Sequence, residues 1–179
     1  MTWVAFLRNV NLGRPNSPAK AQLEDAFLAA GATRASSFLV NGTLVFALEP
    51  GARPRAVASR ACERLRASCG LREPVFVRRV AELAALVADD PFGGAEPGTD
   101  AHHCITFLGA ERAGLPALPF TTPRGDVQLR THTGAEVLST SRVVGRSMGS
   151  PNALLERLLG EPATTRNWRT VLRLVDKFA

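Results

Sequence analysis

Asn41-Gly42, set between apolar runs at 37–40 and 43–48, constrains the fold of this chain more than any other feature. A type I′ turn needs positive φ at both central residues, and Asn-Gly supplies it. The two runs are therefore expected to pair as an antiparallel hairpin. On its N-terminal side, residues 3–10 form an apolar run that leads into a polar loop. A helix follows, with Ser17 as N-cap, Pro18 at its first position, Leu23, Ala26, Phe27 and Ala30 as its stripe, and Gly31 beyond its end. On the C-terminal side, a helix over 55–68 buries Val57, Ala61 and Leu65, and a strand is expected at 74–78. The order βαββαβ is the split βαβ plan of ferredoxin-like α+β folds.

A short helix carrying Val80, Leu83, Ala84 and Val87 is stopped by Pro91. Residues 91–101 are Gly/Pro-rich and read as a linker. The expected division is a ferredoxin-like lobe at 1–90 and a smaller α+β lobe at 102–179. The second lobe opens with a strand at 103–108, and the Pro-rich stretch 110–123 receives no assignment. Strands at 127–131 and 136–140 are expected to flank Thr133-Gly134. Two helices close the lobe. Ser150 and Pro151 start one, with Leu154, Leu155, Leu158 and Leu159 inside and Gly160 at its end. Thr164 or Thr165 is the expected N-cap of the other, whose apolar face is Trp168, Val171, Leu172, Val175 and Phe178. Arg166, Arg169, Arg173 and Lys177 recur on the opposite side.

With 45% hydrophobic and 21% charged residues, the composition excludes disordered and collagen-like classes. No apolar run approaches the ~20 residues a membrane helix needs, and residues 1–7 lack the marks of a signal peptide. Cys62, Cys69 and Cys104 are odd in number, and Cys62 and Cys69 sit about two turns apart on one expected helix, too far to bond. No Cys-x-x-Cys pair occurs, so a reducing cytoplasm is the expected compartment. The formal net charge of +6 invites an anionic partner. Its weight is reduced by composition: Lys20 and Lys177 are the only lysines, and the arginine, Ala, Gly and Pro content matches a GC-rich coding bias.

Three blocks carry a family resemblance: Phe6-Leu7-Arg8-Asn9-Val10-Asn11-Leu12-Gly13, then Phe38-Leu39-Val40-Asn41-Gly42-Thr43-Leu44-Val45-Phe46, then Thr164-Thr165-Arg166-Asn167-Trp168-Arg169-Thr170-Val171. In this order they resemble a bacterial domain-of-unknown-function family, number 1697, over nearly the whole chain. The resemblance implies a small cytoplasmic α+β protein and no established activity. The family usually has Gly at the place of Asn9 and of Arg14, and Ser-Gly-Asn where this chain has Asn41-Gly42-Thr43.

Two helix starts are candidate anion sites. The loop Gly145-Arg146-Ser147-Met148-Gly149-Ser150 feeds a helix N-terminus with small residues and an arginine, or is a plain connector with a good cap. It lacks the Lys-Ser/Thr of a Walker A loop. At the second start, Thr165, Arg166, Asn167 and Arg169 stand beside the positive helix end, so two arginines share one first turn, a conflict that an anion would relieve. The alternative is a solvated basic face. Arg8, Asn9 and Asn11 at the end of the first strand, with Asn41 of the hairpin, complete the candidate ligand set, or form a polar loop that satisfies its own backbone.

His102 and Cys104 could share an ion on one strand face, but with no helical or loop ligand spacing no metal is expected, and no cofactor either. His-Glu-x-x-His and any legible acid–base pair are absent. Three functions compete. The first is a protein, enzymatic or not, that holds a small phosphorylated or nucleotide-like anion at the seam between lobes. The second is a nucleic-acid-binding module, which the lack of a basic-Gly-aromatic strand motif disfavours. The third is an interaction protein, a homodimer whose arginines pair with its own carboxylates. No membrane association is expected.

Overall fold

The computed structural model of the chain describes residues 1–95, 98–109 and 114–179. The expected linker at 91–101 and the Pro-rich stretch 110–123 thus lie partly outside the described residues. The protein is mixed α+β, with antiparallel sheets and, among the described residues, five helices. It divides into two units, Met1–Ala84 with Phe178–Ala179, and Ala85–Lys177.

The first unit runs β1 (Thr2–Leu7), α1 (Lys20–Ala29), β2 (Arg34–Phe38), β3 (Thr43–Ala47), α2 (Pro54–Cys69), β4 (Val75–Arg79), and the boundary falls within α3 (Val80–Ala88). Its sheet has the order β2-β3-β1-β4, every pairing antiparallel. Ala5, Leu7, Leu44, Phe46 and Val77 of the sheet pack with Leu23 and Phe27 of α1 and with Val57, Ala61 and Leu65 of α2. The Phe27 and Phe46 rings meet at 5.1 Å and 54°. The opposite-facing Val4 and Phe6 are buried too, so β1 reads as a continuous apolar run rather than an alternating one.

Two local expectations in this unit fail for traceable reasons. The 38–43 connection is a four-residue loop, not a two-residue Asn-Gly turn, since Phe38 pairs with Thr43. Positive φ falls at Leu39 (61°) and Gly42 (69°) rather than at Asn41. The loop turns its backbone toward the β1–α1 connection: Leu12 N–H donates to Val40 O at 2.8 Å and Leu7 N–H to Gly42 O at 2.8 Å. Long-range bonds outcompete the local turn. At α1, Ser17 does not cap. Its Oγ accepts from Asn11 N–H at 3.3 Å, and the cap residue is Ala19, whose N–H donates to Gln22 Oε1 at 2.8 Å.

The second unit continues with β5 (Ala101–Leu108), β6 (Phe120–Thr121), β7 (Val127–His132), β8 (Glu136–Val144), β9 (Ser147–Met148), α4 (Pro151–Leu159), β10 (Ala163–Asn167) and α5 (Trp168–Phe178). Its antiparallel sheet has the order β10-β5-β8-β7-β6, and β9 folds back on β8. Leu108, Val127, Leu129, Val137 and Ala163 pack against Leu154 and Leu155 of α4. Ser150 caps α4 as expected, its Oγ accepting from Ala153 N–H at 3.2 Å. Leu158 is 40% exposed, against the expected inner face.

The strand β10 is the larger correction. Residues 163–167 pair with β5, so Thr164 and Thr165 are strand residues, and α5 begins at Trp168. The cap is Asn167, whose Oδ1 accepts from Arg169 N–H at 2.9 Å. Leu172 is exposed, and Leu174 takes the inward place. Replacing Asn167 with Ala removes this cap and should lower stability by about 1 kcal/mol. Urea unfolding of the variant measures it, and Asn167→Ser should recover most of the loss.

Candidate functional site

The expected anion loop at 145–150 is a hairpin turn. Val143 and Val144 pair with Met148 and Ser147, leaving Gly145 and Arg146 at the tip. Ser147 Oγ accepts from Arg124 Nη2 at 2.7 Å, and Arg146 is exposed. Gly149 is closely packed: a Cβ there would overlap the Asp126 carbonyl oxygen and lie 2.6 Å from its carbon. The α4 N-terminus is occupied by its own Ser150.

Arg166 and Arg169 do not share a helix turn either, so the conflict inferred between them is absent. Arg166 is a strand residue, 7% exposed, whose Nη1 donates to Thr164 Oγ1 and to Thr165 O, each at 2.9 Å. Burial disfavours its charged form and brings its pKa down to about 10, which still leaves it cationic at neutral pH. Thr165 Oγ1 lies 2.8 Å from Thr106 Oγ1 across the strand pair, and donates to Asn152 Oδ1 at 3.4 Å. These groups hold β10, β5 and α4 together.

The N-terminal candidates, all in the first unit, are similarly engaged. Arg8 Nη1 donates to Glu73 Oε2 at 2.6 Å, an ion pair of partly buried side chains. Asn9 Nδ2 reaches the other oxygen at 3.4 Å. Asn9 has φ 51°, the left-handed region that Gly enters freely and Asn tolerates better than most residues. Asn11 is exposed, and its carbonyl accepts from Arg14 N–H at 3.1 Å. Asn41 Oδ1 accepts from Thr43 Oγ1 at 2.8 Å.

Asn167 and Arg169 are brought together at a cavity. It has a volume of about 410 Å³, and its lining in the second unit includes His102, His103, Trp168, Leu172, Phe92 and Asp90 as well. Three sequence events build it. Asp90 (φ 42°), Gly93 and Gly94 turn the chain sharply, and Asp90 Oδ1 accepts from Gly94 N–H at 3.0 Å. That turn presents Phe92, whose ring stacks on His103 at 4.0 Å and 9° and meets Trp168 edge-on at 5.4 Å. A bulge between Leu129 and Thr131 carries Arg130, whose guanidinium lies 5.6 Å above the Phe92 ring.

The wall is thus an ordered aromatic stack, and the mouth carries charge. Arg169 is exposed, and among the described residues its guanidinium has no ion pair or hydrogen bond. The α5 dipole adds positive potential beside it. In the sequence His102 stands out only as a candidate metal ligand with Cys104, and Trp168 only as part of the apolar face of the last helix, where it is indeed buried. The missing signal was the turn at 90–94, which looks like a plain linker. Among the described residues no three His, Cys, Asp or Glu side chains gather as a metal-binding group. Cys104 is buried, and burial pushes its thiol up to about 11.

Together these features define a two-unit α+β protein with an aromatic-walled cavity in its second unit, lined by both Arg169 and Asp90. The chain belongs to the family described as protein of unknown function (DUF1697), whose model matches residues 1–132. No curated protein matches it. A solved structure, that of the conserved bacterial protein SP0830 from Streptococcus pneumoniae, is similar with a TM-score of 0.59 at 13% identity, covering 98% of this chain and 96% of that one. At that identity the likeness is one of fold. Among the described residues no helix is long and apolar enough to cross a membrane.

Proposed function

We propose that the second unit binds a small anionic ligand, phosphorylated or nucleotide-like, in the cavity at the start of α5. The observation that carries this reading is Arg169: an exposed guanidinium, without a partner among the described residues, at a cavity of ligand size. Guanidinium binds phosphate or carboxylate through paired, charge-assisted hydrogen bonds. Asn167 and His102 add polar groups, and Phe92, Trp168 and Leu172 supply apolar wall. Asp90 places a carboxylate in the same lining, suited to the N–H donors of a ligand's head group. The three free cysteines favour a reducing, cytoplasmic location.

A thermal-shift comparison with adenosine monophosphate, glucose 6-phosphate and inorganic phosphate tests the proposal. At saturating ligand the midpoint should rise by several degrees, about 5–10 °C at a hundredfold excess over Kd. Arg169→Ala should abolish the rise while leaving the unliganded midpoint within about 1 °C, because the side chain is exposed. No shift with any of the three would refute the reading. An interaction protein with internally used arginines is the second reading. It is favoured by the Arg8–Glu73 pair and by Arg60, which donates to Ala30 O at 2.8 Å.

A further inference from the structure

Two opposite charges line the aromatic-walled cavity: Asp90, from the turn that follows α3, and Arg169, from the first turn of α5. Among the described residues neither makes an ion pair, with the other or with any third side chain. One carboxylate oxygen of Asp90, Oδ1, accepts from Gly94 N–H at 3.0 Å, and the residue is held at φ 42° by that turn. The second oxygen has no partner among the described residues. A carboxylate and a guanidinium thus share one small space without neutralising each other. The rings around them limit what else can enter. Phe92, Trp168 and His103 are only 4%, 7% and 8% exposed, because they pack on one another. Rings so covered leave no open face on which a nucleobase could stack. Of the ligands already proposed, this favours a small phosphorylated compound over a nucleotide.

We infer that the ligand is a zwitterion: a small phosphomonoester that also carries an ammonium group, with its phosphate on Arg169 and its ammonium on Asp90. The inference rests on the proposed anion site and narrows it. An ester without the ammonium gains the guanidinium contact but meets Asp90 as a like charge. An ammonium turns that repulsion into a charge-assisted hydrogen bond. Asp90 is then the residue that selects among phosphate esters, and Arg169 the one that holds them all.

Isothermal titration at low ionic strength, where exposed charges are least screened, tests this with two matched pairs. Phosphoethanolamine is set against n-propyl phosphate, and glucosamine 6-phosphate against glucose 6-phosphate. In at least one pair the ammonium-bearing member should bind about fivefold more tightly. Asp90→Asn should remove that preference and leave the ammonium-free member bound as tightly or slightly more so. Asn keeps an acceptor for Gly94 N–H and tolerates positive φ, so the turn survives the substitution. Arg169→Gln should weaken all four. No preference for the ammonium in either pair, or a preference that persists in Asp90→Asn, overturns the zwitterion while the anion site stands. Failure of all four to bind overturns both. Circular dichroism and the unliganded midpoint confirm that each variant is folded.

Discussion

Gly149→Ala should lower the stability of the protein by about 3 kcal/mol or more, because the added methyl group meets main-chain atoms that are held in place. The cause is a crossing of two main-chain segments. The chain leaving β9 passes the residue just before β7 so closely that an added Cβ overlaps the Asp126 carbonyl and lies 2.8 Å from Val127 Cγ2. The carbonyl cannot swing aside, because Asp126 O accepts from Arg142 N–H at 2.8 Å. Gly149 cannot retreat easily either. Its N–H donates to Arg142 O at 2.9 Å and its carbonyl accepts from the buried Ser141 Oγ at 2.6 Å. Moving either strand breaks a buried hydrogen bond at a cost of about 1–3 kcal/mol. In a domain of this size the melting midpoint should fall by about 6–12 °C. Gly145→Ala is the control: its φ is 67° but nothing lies within 4 Å of the added atom, so only about 1–2 kcal/mol of backbone strain is expected. Equal losses at the two positions would contradict the crossing.

Gly42→Ala should cost about 2–4 kcal/mol by two additive routes. With φ at 69°, any Cβ strains the backbone by about 1–2 kcal/mol. The new atom would also lie 2.6 Å from Val10 Cβ and 3.2 Å from Leu7 O. Val10 is buried at 5% exposure, and Leu7 N–H is tied to Gly42 O itself, so relief requires moving the end of β1. Gly51→Ala, with φ 85° and open space around the added atom, isolates the strain component. Urea unfolding of the pair should place Gly42→Ala at the lower midpoint by a margin of at least 1 kcal/mol. If the two variants unfold together, the packing component is absent and the account of the 39–42 loop fails.

These two glycines also mark where the sequence was legible and where it was not. Periodicity placed β1, α1, β3, α2 and β4 because each buries residues at its own repeat, and those patterns are local. Asn41-Gly42 was recognised as a connection, but its form was set by hydrogen bonds to residues 7 and 12, and no local rule contains them. Gly149 was noticed, yet for the wrong reason, because the chain it approaches lies more than twenty residues away. The strand β10 was missed outright. Ala163-Thr164-Thr165-Arg166-Asn167 has neither an alternating apolar pattern nor a run, and its arginine falls in step with the charged face of α5. What makes it a strand is pairing with β5, nearly sixty residues earlier. Of the site, Asn167 and Arg169 were legible as a polar and cationic pair at a helix start. Their cavity was not, because its other side comes from the 90–94 turn and the head of β5. Arg8 and Arg166 illustrate the reverse error: basic residues that look available are engaged with Glu73 or held in a strand.

The order in which strands pair has a consequence for synthesis on the ribosome. By Arg79 the first sheet has every partner it uses, so that sheet can complete its hydrogen bonding before the rest of the chain emerges. The second sheet cannot. β5 stays without neighbours until β8 arrives, and its other edge stays bare until β10 is translated near the C-terminus. A nascent chain stalled after residue 132 would therefore hold a finished first sheet and an open, apolar β5, the form most prone to aggregate and most in need of a chaperone.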